Sequence, residues 1–329
     1  MSVCGCLACA QRILNIDMQF IRGQHNANSN ASITQGVVAT IGGFDGVHRG
    51  HQALLTTLNA KARELNLRSM VISFEPSPRE FLSKGAMPSR LQRFRDQYQS
   101  LADAKVDVFN CLRFNENLRA MSPAEFVEQV LSNRLNVRWL LVGHDFRFGR
   151  GREGDIDHLR ALGAKHDFGV EEFAAFMMDK CRVSSTLVRQ ALLGGDLNRA
   201  AQLLGRPYSI SGRVVKGNQL GRKLGFPTAN VRLQRIIPLT GVFAVRVTGA
   251  GLQLAPAVAS MGTRPTVNGT EPLLEVYIFN FTGDLYHQQI KVEFVARLRD
   301  ERWFPSLEAL KDQMHLDAEQ ARNLLGFKI

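Results

Sequence analysis

The sequence predicts an α/β domain followed by a β domain: a doubly wound parallel sheet in the N-terminal part, then an antiparallel barrel or sandwich ended by closing helices. Three observations carry this. From Val37 to Leu204 apolar strand candidates alternate with stretches of helical period, the pattern of a parallel sheet with crossover helices. Beyond Gly205–Arg206–Pro207 that period stops and short strands parted by glycine or proline take over. And 329 residues exceed what one hydrophobic core usually holds.

The first unit is the most informative. Val37–Ile41 reads as a buried strand, Gly42, Gly43 and Gly46 as a turn, and Leu54, Leu55, Leu58, Ala62 and Leu65 as one face of a helix. Glycines let backbone amides approach a ligand, and free N–H groups at a helix start favour an anion, so phosphate is the expected guest. His48 and His51, three apart at that helix start, can face one anion together. The spacing fits neither the dinucleotide fingerprint nor the P-loop.

Met70–Phe74 is the next strand, and the prolines of Glu75–Pro76–Ser77–Pro78 suggest an extended loop at its carboxyl end, where ligands of open α/β sheets collect. A helix is expected over Arg90–Ala104, a strand over Val106–Phe114, and a helix from Ser122, Pro123 and Glu125 to about Leu131 by cap, first-turn proline and capping box. Trp139–Val142 is a strand that runs into GHDFRFGRGREGD, where Arg147, Arg150 and Arg152 make either an anion-facing edge or a solvated basic turn. Val183–Leu193 starts a helix at Ser184 or Ser185, with Thr186 and Arg189 in its first turns.

In the second half the strands are Ser209–Val215, Val242–Val247, Pro256–Met261, Leu273–Phe281 and Ile290–Arg297, with closing helices over Ser306–His315 and Asp317–Leu325. Two chemical features stand out. Thr228 and Asn230, two apart in an extended segment after Pro227, project oxygens to one side and suit Mg²⁺, with Gly221 and Gly225 bending the loop over nucleotide phosphates, although taken alone the composition of PTAN favours a plain turn. Glu275 lies in an otherwise apolar strand, shielded as a general base would be, although an exposed strand face tolerates it too.

The pattern Gly42, Phe44–Asp45–Gly46–Val47–His48, Gly50–His51 resembles the GxFDGVHxGH signature of bacterial bifunctional riboflavin kinase/FMN adenylyltransferases. Further segments resemble the same family in its order: the FEPxP loop, the G-[DEN]-[DN]-F-x-F-G loop with Asp145 at a nucleotide-contacting position and His144 in place of the common acid, SSTxxR, PTAN, and LEVH with Tyr277 for the histidine. Gly262, Arg264–Pro265–Thr266, Asp284–Leu285–Tyr286 and Leu298–Arg299 with Glu301 and Phe304 extend it almost to the end of the chain. The resemblance implies a nucleotidyltransferase domain over 18–204, a barrel kinase domain over 205–329, and an activity in which ATP converts riboflavin to FMN and a second ATP converts FMN to FAD. It implies nucleotide contacts at Gly42, Phe44, Asp45, Gly46, Asp145, Ser184, Ser185, Thr186 and Arg189 for adenylylation, and at Gly221, Gly225, Thr228 and Asn230 for the kinase. Thr228 and Asn230 would hold Mg²⁺, Arg299 would touch the flavin, and His48, His51 and Glu275 would be catalytic.

Composition narrows the class without choosing the substrate. Hydrophobic residues make up 45% and charged residues 22%, ordinary for a globular protein, and no apolar run reaches membrane-spanning length. The formal charge of +11 suits a nucleic acid or phosphorylated small molecules, and the absence of a dense basic run favours the latter. Cys4, Cys6 and Cys9 cluster at the start while Cys111 and Cys181 stand apart, which fits a reducing cytoplasm rather than a disulfide framework. Residues 1–17 are expected to be a dispensable, unstructured lead-in, because Met18 begins the MQFIRG stretch that resembles the family's usual start. Two rivals stand at this stage: an adenylyltransferase for another acceptor, such as nicotinate mononucleotide or phosphopantetheine, and a non-enzymatic nucleic-acid binder or flavin carrier. Neither membrane nor protein partner is implied.

Overall fold

The computed structural model describes residues 18–23, 33–83, 88–217, 221, 224–233, 235–266 and 269–327. The expected lead-in 1–17 and the side chains of Arg264, Pro265 and Thr266 lie outside the described residues. Contacts divide the chain into two compact units, residues 1–86 with 97–182 and residues 87–96 with 183–329.

In the first unit six parallel strands form one sheet: β1 (Gln19–Arg22), β2 (Val37–Ile41), β3 (Arg68–Glu75), β4 (Val108–Arg113), β5 (Val137–Gly143) and β6 (Gly169–Phe173), in the order β1-β4-β3-β2-β5-β6. All five residues of β2 are buried, as a central strand covered on both faces requires. Helix α1 (Arg49–Glu64) buries Leu54, Leu55, Leu58 and Ala62 of the face its spacing predicted, while Leu65 falls at the C-cap and is exposed. The main core of this unit joins Ile41, Ile72, Leu112 and Leu140 of the strands to Phe126, Leu131 and Leu159 of the later helices. The chain steps outward from β2 through β3 and β4, then returns to the other flank of β2 with β5. The strand order therefore reverses between β2 and β5, and open α/β sheets bind ligands outside the carboxyl ends of such a pair.

Three expectations change in detail. The proline-rich loop is not extended throughout: Ser77 caps a short helix α2 (Pro78–Leu82), with Glu80 returning a hydrogen bond to the Ser77 N–H. Helix α3 starts late (Phe94–Asp103), and the Arg90 N–H, ahead of it, donates to the carbonyl of Ile236. After the short helix α4 (Glu116–Ala120), the segment opened by Ser122 is α-helical only over Pro123–Glu125 and continues as a π-helix over Phe126–Ser132. This unit also holds α5 (Ile156–Lys165) and a two-strand ribbon, β7 (Met177–Met178) with β8 (Cys181–Arg182).

The second unit opens with α6 (Ser185–Leu193), capped by the Ser184 hydroxyl, and α7 (Leu197–Leu204), followed by a closed antiparallel barrel. Its strands are β9 (Ser209–Val215), β10 (Ala229–Arg232), β11 (Gly241–Gly249), β12 (Leu252–Thr266), β13 (Gly269–Ile278) and β14 (Gln289–Arg299), in the order β10-β13-β12-β11-β14-β9. Closure leaves no unpaired sheet edge. The closing helices prove to be one, α8 (Leu307–Leu325), from the Ser306 cap to Gly326 in the left-handed conformation. No glycine or proline interrupts it, and Asp317, which sequence reading placed at a helix start, is instead buried mid-helix. Ala318, Ala321 and Leu325 pack its inner face on Phe226, Ala244 and Phe279.

Candidate active sites

The turn after β2 is tightly constrained. Phe44 and Val47 adopt φ values of 45° and 38°, left-handed conformations that non-glycine residues rarely occupy, and Gly46 between them has φ 87°. Phe44 is buried with its ring 4.8 Å from that of His51, and a Cβ at Gly42 would meet it at 3.0 Å. Asp45 is half-buried. From α3, Gln97 donates its side-chain N–H to the Gly43 carbonyl at 2.8 Å and holds the turn from outside.

His48 caps α1. Its Nδ1 accepts the backbone N–H of His51 at 3.3 Å, so a neutral His48 carries its proton on Nε2. The two imidazoles stack with centroids 3.7 Å apart and planes at 15°. Burial, reinforced by the electrostatic influence of His48 and of the Arg182 cation, holds His51 well below the usual histidine range. Its Nδ1 is buried without a hydrogen-bond partner among the described residues. The pair is therefore not two standing cations, as a reading of paired basic residues suggests, but a neutral, desolvated ring behind a cap.

Asp145 lies beyond β5, on the other strand of the switch point. Arg182 of β8 grips it with two nitrogens, at 2.9 and 3.0 Å, and these donors hold its carboxyl below the usual carboxylate range. Arg182 is the residue that sequence reading missed. It sits two positions before Ser184 yet belongs to no recognisable short motif, and its effect on both Asp145 and His51 exists only in three dimensions. The neighbouring arginines favour the solvated-turn alternative: Arg147 pairs with Asp155 at 3.2 Å and Arg150 with Glu153 at 3.9 Å, both on the surface.

Ser184, Ser185, Thr186 and Arg189 fall in the second unit. The Ser184 hydroxyl accepts the Leu187 N–H at 3.2 Å, Ser185 and Thr186 form the first turn of α6, and Arg189 donates to the Ser89 carbonyl at 3.0 Å.

Within the barrel unit a cavity of about 350 Å³ is lined by Gly221, Thr228, Asn230, Glu275 and Arg299, which the sequence singled out, and by Ser260, Tyr277 and Asp317, which it did not cast in a role. Strand register explains the meeting. Asn230 of β10 pairs with Glu275 of β13, Glu275 with Ser260 of β12, Ser260 with Val242 of β11, and Val242 with Arg299 of β14. Five residues spread over seventy positions thus form one row across the wall, with side chains on a common face. Asn230 is buried against Gly217, where any Cβ would overlap its amide at 2.4 to 2.7 Å. Phe226 packs edge-on to Tyr277, centroids 5.0 Å apart. Gly225 is not part of the wall; it is exposed, with φ 88°. Glu301 lies over Gly262 within reach of the Ser260 hydroxyl at 3.5 Å, and burial raises its pKa.

Family models for FAD synthetase and riboflavin kinase match residues 30–187 and 204–325. Proteins named bifunctional riboflavin kinase/FMN adenylyltransferase are 46% identical in Haemophilus influenzae, 45% in Escherichia coli and 48% in Pseudomonas fluorescens, over 93 to 94% of this chain and 98% of each relative. The chain belongs to the bifunctional riboflavin kinase/FMN adenylyltransferase family. A solved structure described as a macrolide-efflux protein from Streptococcus pneumoniae shares the fold at a TM-score of 0.78, with 30% identity over 93% of this chain and 99% of that one. Among the described residues, no helix of this family member is long and apolar enough to cross a membrane.

Proposed function

We infer that this chain phosphorylates riboflavin to FMN with ATP and then adenylylates FMN to FAD with release of pyrophosphate. The observation that carries the reading is the convergence of Gly221, Thr228, Asn230, Glu275 and Arg299 on one cavity in a unit matched to riboflavin kinases.

In the kinase step Glu275 takes the proton of the riboflavin 5′-hydroxyl as its oxygen attacks the γ-phosphorus and ADP leaves. Arg299 and the apolar wall orient the flavin, while Gly221 leaves room for phosphate at the loop. The donor set fits Mg²⁺: Thr228 and Asn230 offer neutral hard oxygens, and no cluster of three or more His, Cys, Asp or Glu occurs among the described residues, so most ligands would come from phosphates and water. Bound there, the ion would offset phosphate charge.

For adenylylation, an FMN phosphate oxygen attacks the α-phosphorus of a second ATP and pyrophosphate departs. The start of α1, which carries His48 and His51, favours the negative charge of the triphosphate. His51, neutral in the free site, gains affinity for a proton when an anion arrives and so offsets charge as it develops. Asp145 adds a nucleotide contact in the same unit, and Ser184, Ser185, Thr186 and Arg189 keep in this reading the nucleotide-contacting role that the resemblance implies for them. No covalent enzyme intermediate is needed. We assign adenylylation to residues 18–204 and kinase activity to 205–329, with the reaction in the cytoplasm. Cys181 is an exposed free thiol, as a reducing compartment suits.

A product time course with riboflavin, ATP and Mg²⁺ tests the whole. FMN should rise first and give way to FAD. Flavin left unmodified while another acceptor is consumed would overturn the reading.

A further inference from the structure

Arg299 carries a full positive charge into a cavity whose acceptor substrate, riboflavin, is uncharged. That charge is answered on the spot. Asp317 of α8, only 3% exposed, accepts the Arg299 Nε–H at 2.9 and 3.1 Å and an Nη–H at 2.8 Å, while Gln313 one turn earlier donates to the same carboxylate at 2.8 Å. The other Nη of Arg299 donates to the Asp300 carbonyl at 2.9 Å. Both members of the pair line the cavity. A buried ion pair is weak support for stability, since an apolar pair of similar volume often does as well. Its place in the wall calls for a functional reason.

We propose that Asp317 is a specificity-determining residue of the kinase site: by cancelling the charge of Arg299 it lets the cavity admit uncharged riboflavin and release phosphorylated FMN. The proposal rests on the kinase reading above. Substrate and product differ by one phosphate, which carries about −1.5 to −2 charges at neutral pH. Guanidinium is a preferred phosphate partner, so an uncompensated Arg299 would hold product more tightly than substrate. The distance is short enough to matter. Glu275, beside which the phosphate is added, stands on the same cross-strand row as Arg299, three strand steps or about 14 Å away along the sheet. Exposed charges at that separation are largely screened, but partly buried ones are screened much less.

The test uses the full chain and initial rates of ADP release, which only the kinase step produces. The quantity read is the ratio of the FMN inhibition constant to the riboflavin KM. Asp317→Asn should lower this ratio roughly five- to tenfold, for charges about 14 Å apart at an effective dielectric near 20. Arg299→Gln should raise it, and the double variant, with neither charge, should return within about threefold of the wild-type ratio. A ratio unmoved in Asp317→Asn would overturn the proposal. If that variant does not fold, the other two decide: a double variant that keeps the raised ratio of Arg299→Gln overturns it, and one that restores the wild-type ratio supports it. Wild-type protein that releases no ADP with riboflavin would instead defeat the kinase reading and take this inference with it.

Discussion

The two sites of this chain are built on opposite plans. The α/β site is centred on ten consecutive residues, Gly42 to His51, with Asp145 and Arg182 joining from elsewhere in the unit, and its left-handed turn and helix start create a local environment that is strained and, at His51 Nδ1, unsatisfied among the described residues. The barrel site draws one residue or two from each of several elements, from Gly221 to Asp317, and its strongest charges are already paired. The first plan is electrostatically open, waiting for an anion. The second is neutralised before the substrate arrives, as an uncharged acceptor requires. One polypeptide thus shows two ways to handle phosphate: a helix start with a buried, uncharged imidazole beside it, and a wall that keeps its cation in check.

The comparison breaks most readily at Glu275. Glu275→Gln should slow FMN formation by roughly 10²–10⁴-fold, the range for a general base, while FAD formation from supplied FMN continues. At the other site, His51→Ala should slow FAD formation by about 10²–10³-fold, as when a charge-stabilising donor is lost, and leave FMN formation nearly unchanged. Separate assays of ADP and pyrophosphate release distinguish the two steps. Either variant disabling both steps equally, in protein that is folded, would remove the two-site picture. A subtler break lies at Gly217. A methyl group there overlaps the Asn230 amide, so Gly217→Ala should shift that side chain and cost the kinase step on the order of 10²-fold, with adenylylation spared. Full kinase activity in Gly217→Ala would show that Asn230 need not stand where it does.

The same contrast decides how much the sequence discloses. A site made of contiguous residues is legible, because the turn, the cap and the helix face are all written within one window; Gly42, His48 and His51 are found where their spacing puts them. Parallel strands such as β2 are equally plain, since burial on both faces leaves an unbroken apolar run. A site made by strand register is legible only in pieces. Glu275 and Asn230 draw attention as polar residues in apolar or proline-marked surroundings, but nothing in the chain announces that they are paired, or that Ser260 sits beside them. Asp317 is hidden most thoroughly. In sequence it reads as an acidic residue suited to open a helix, and only the approach of Arg299 from β14 makes its burial tolerable mid-helix. Arg182 escapes for a related reason, since a lone arginine in a two-residue strand acquires meaning from Asp145, thirty-seven positions away.

The smallest expected effect tests whether the open site carries a cost to folding. The folded-state pKa of His51 lies below its unfolded value near 6.5, so the unfolded chain binds the proton more readily. Stability linked to this ring is therefore fully present above about pH 6.5 and is lost as pH falls from there toward the folded pKa. Asp145 and Asp155 are lowered from the carboxylate range and titrate below this window, while Glu301 and Asp96, raised by burial, act in the opposite sense, gaining stability as pH falls. Thermal unfolding followed from pH 8 to pH 5.5 should show the melting temperature level at first and then declining. His51→Gln, which cannot take up the proton, should flatten the decline, whereas Gly217→Ala in the barrel should leave its slope as it is. A wild-type profile level down to pH 5.5, or a His51→Gln profile that declines as steeply, would mean that the imidazole is not held neutral by its burial, and the contrast between an open and a neutralised site would lose its electrostatic basis.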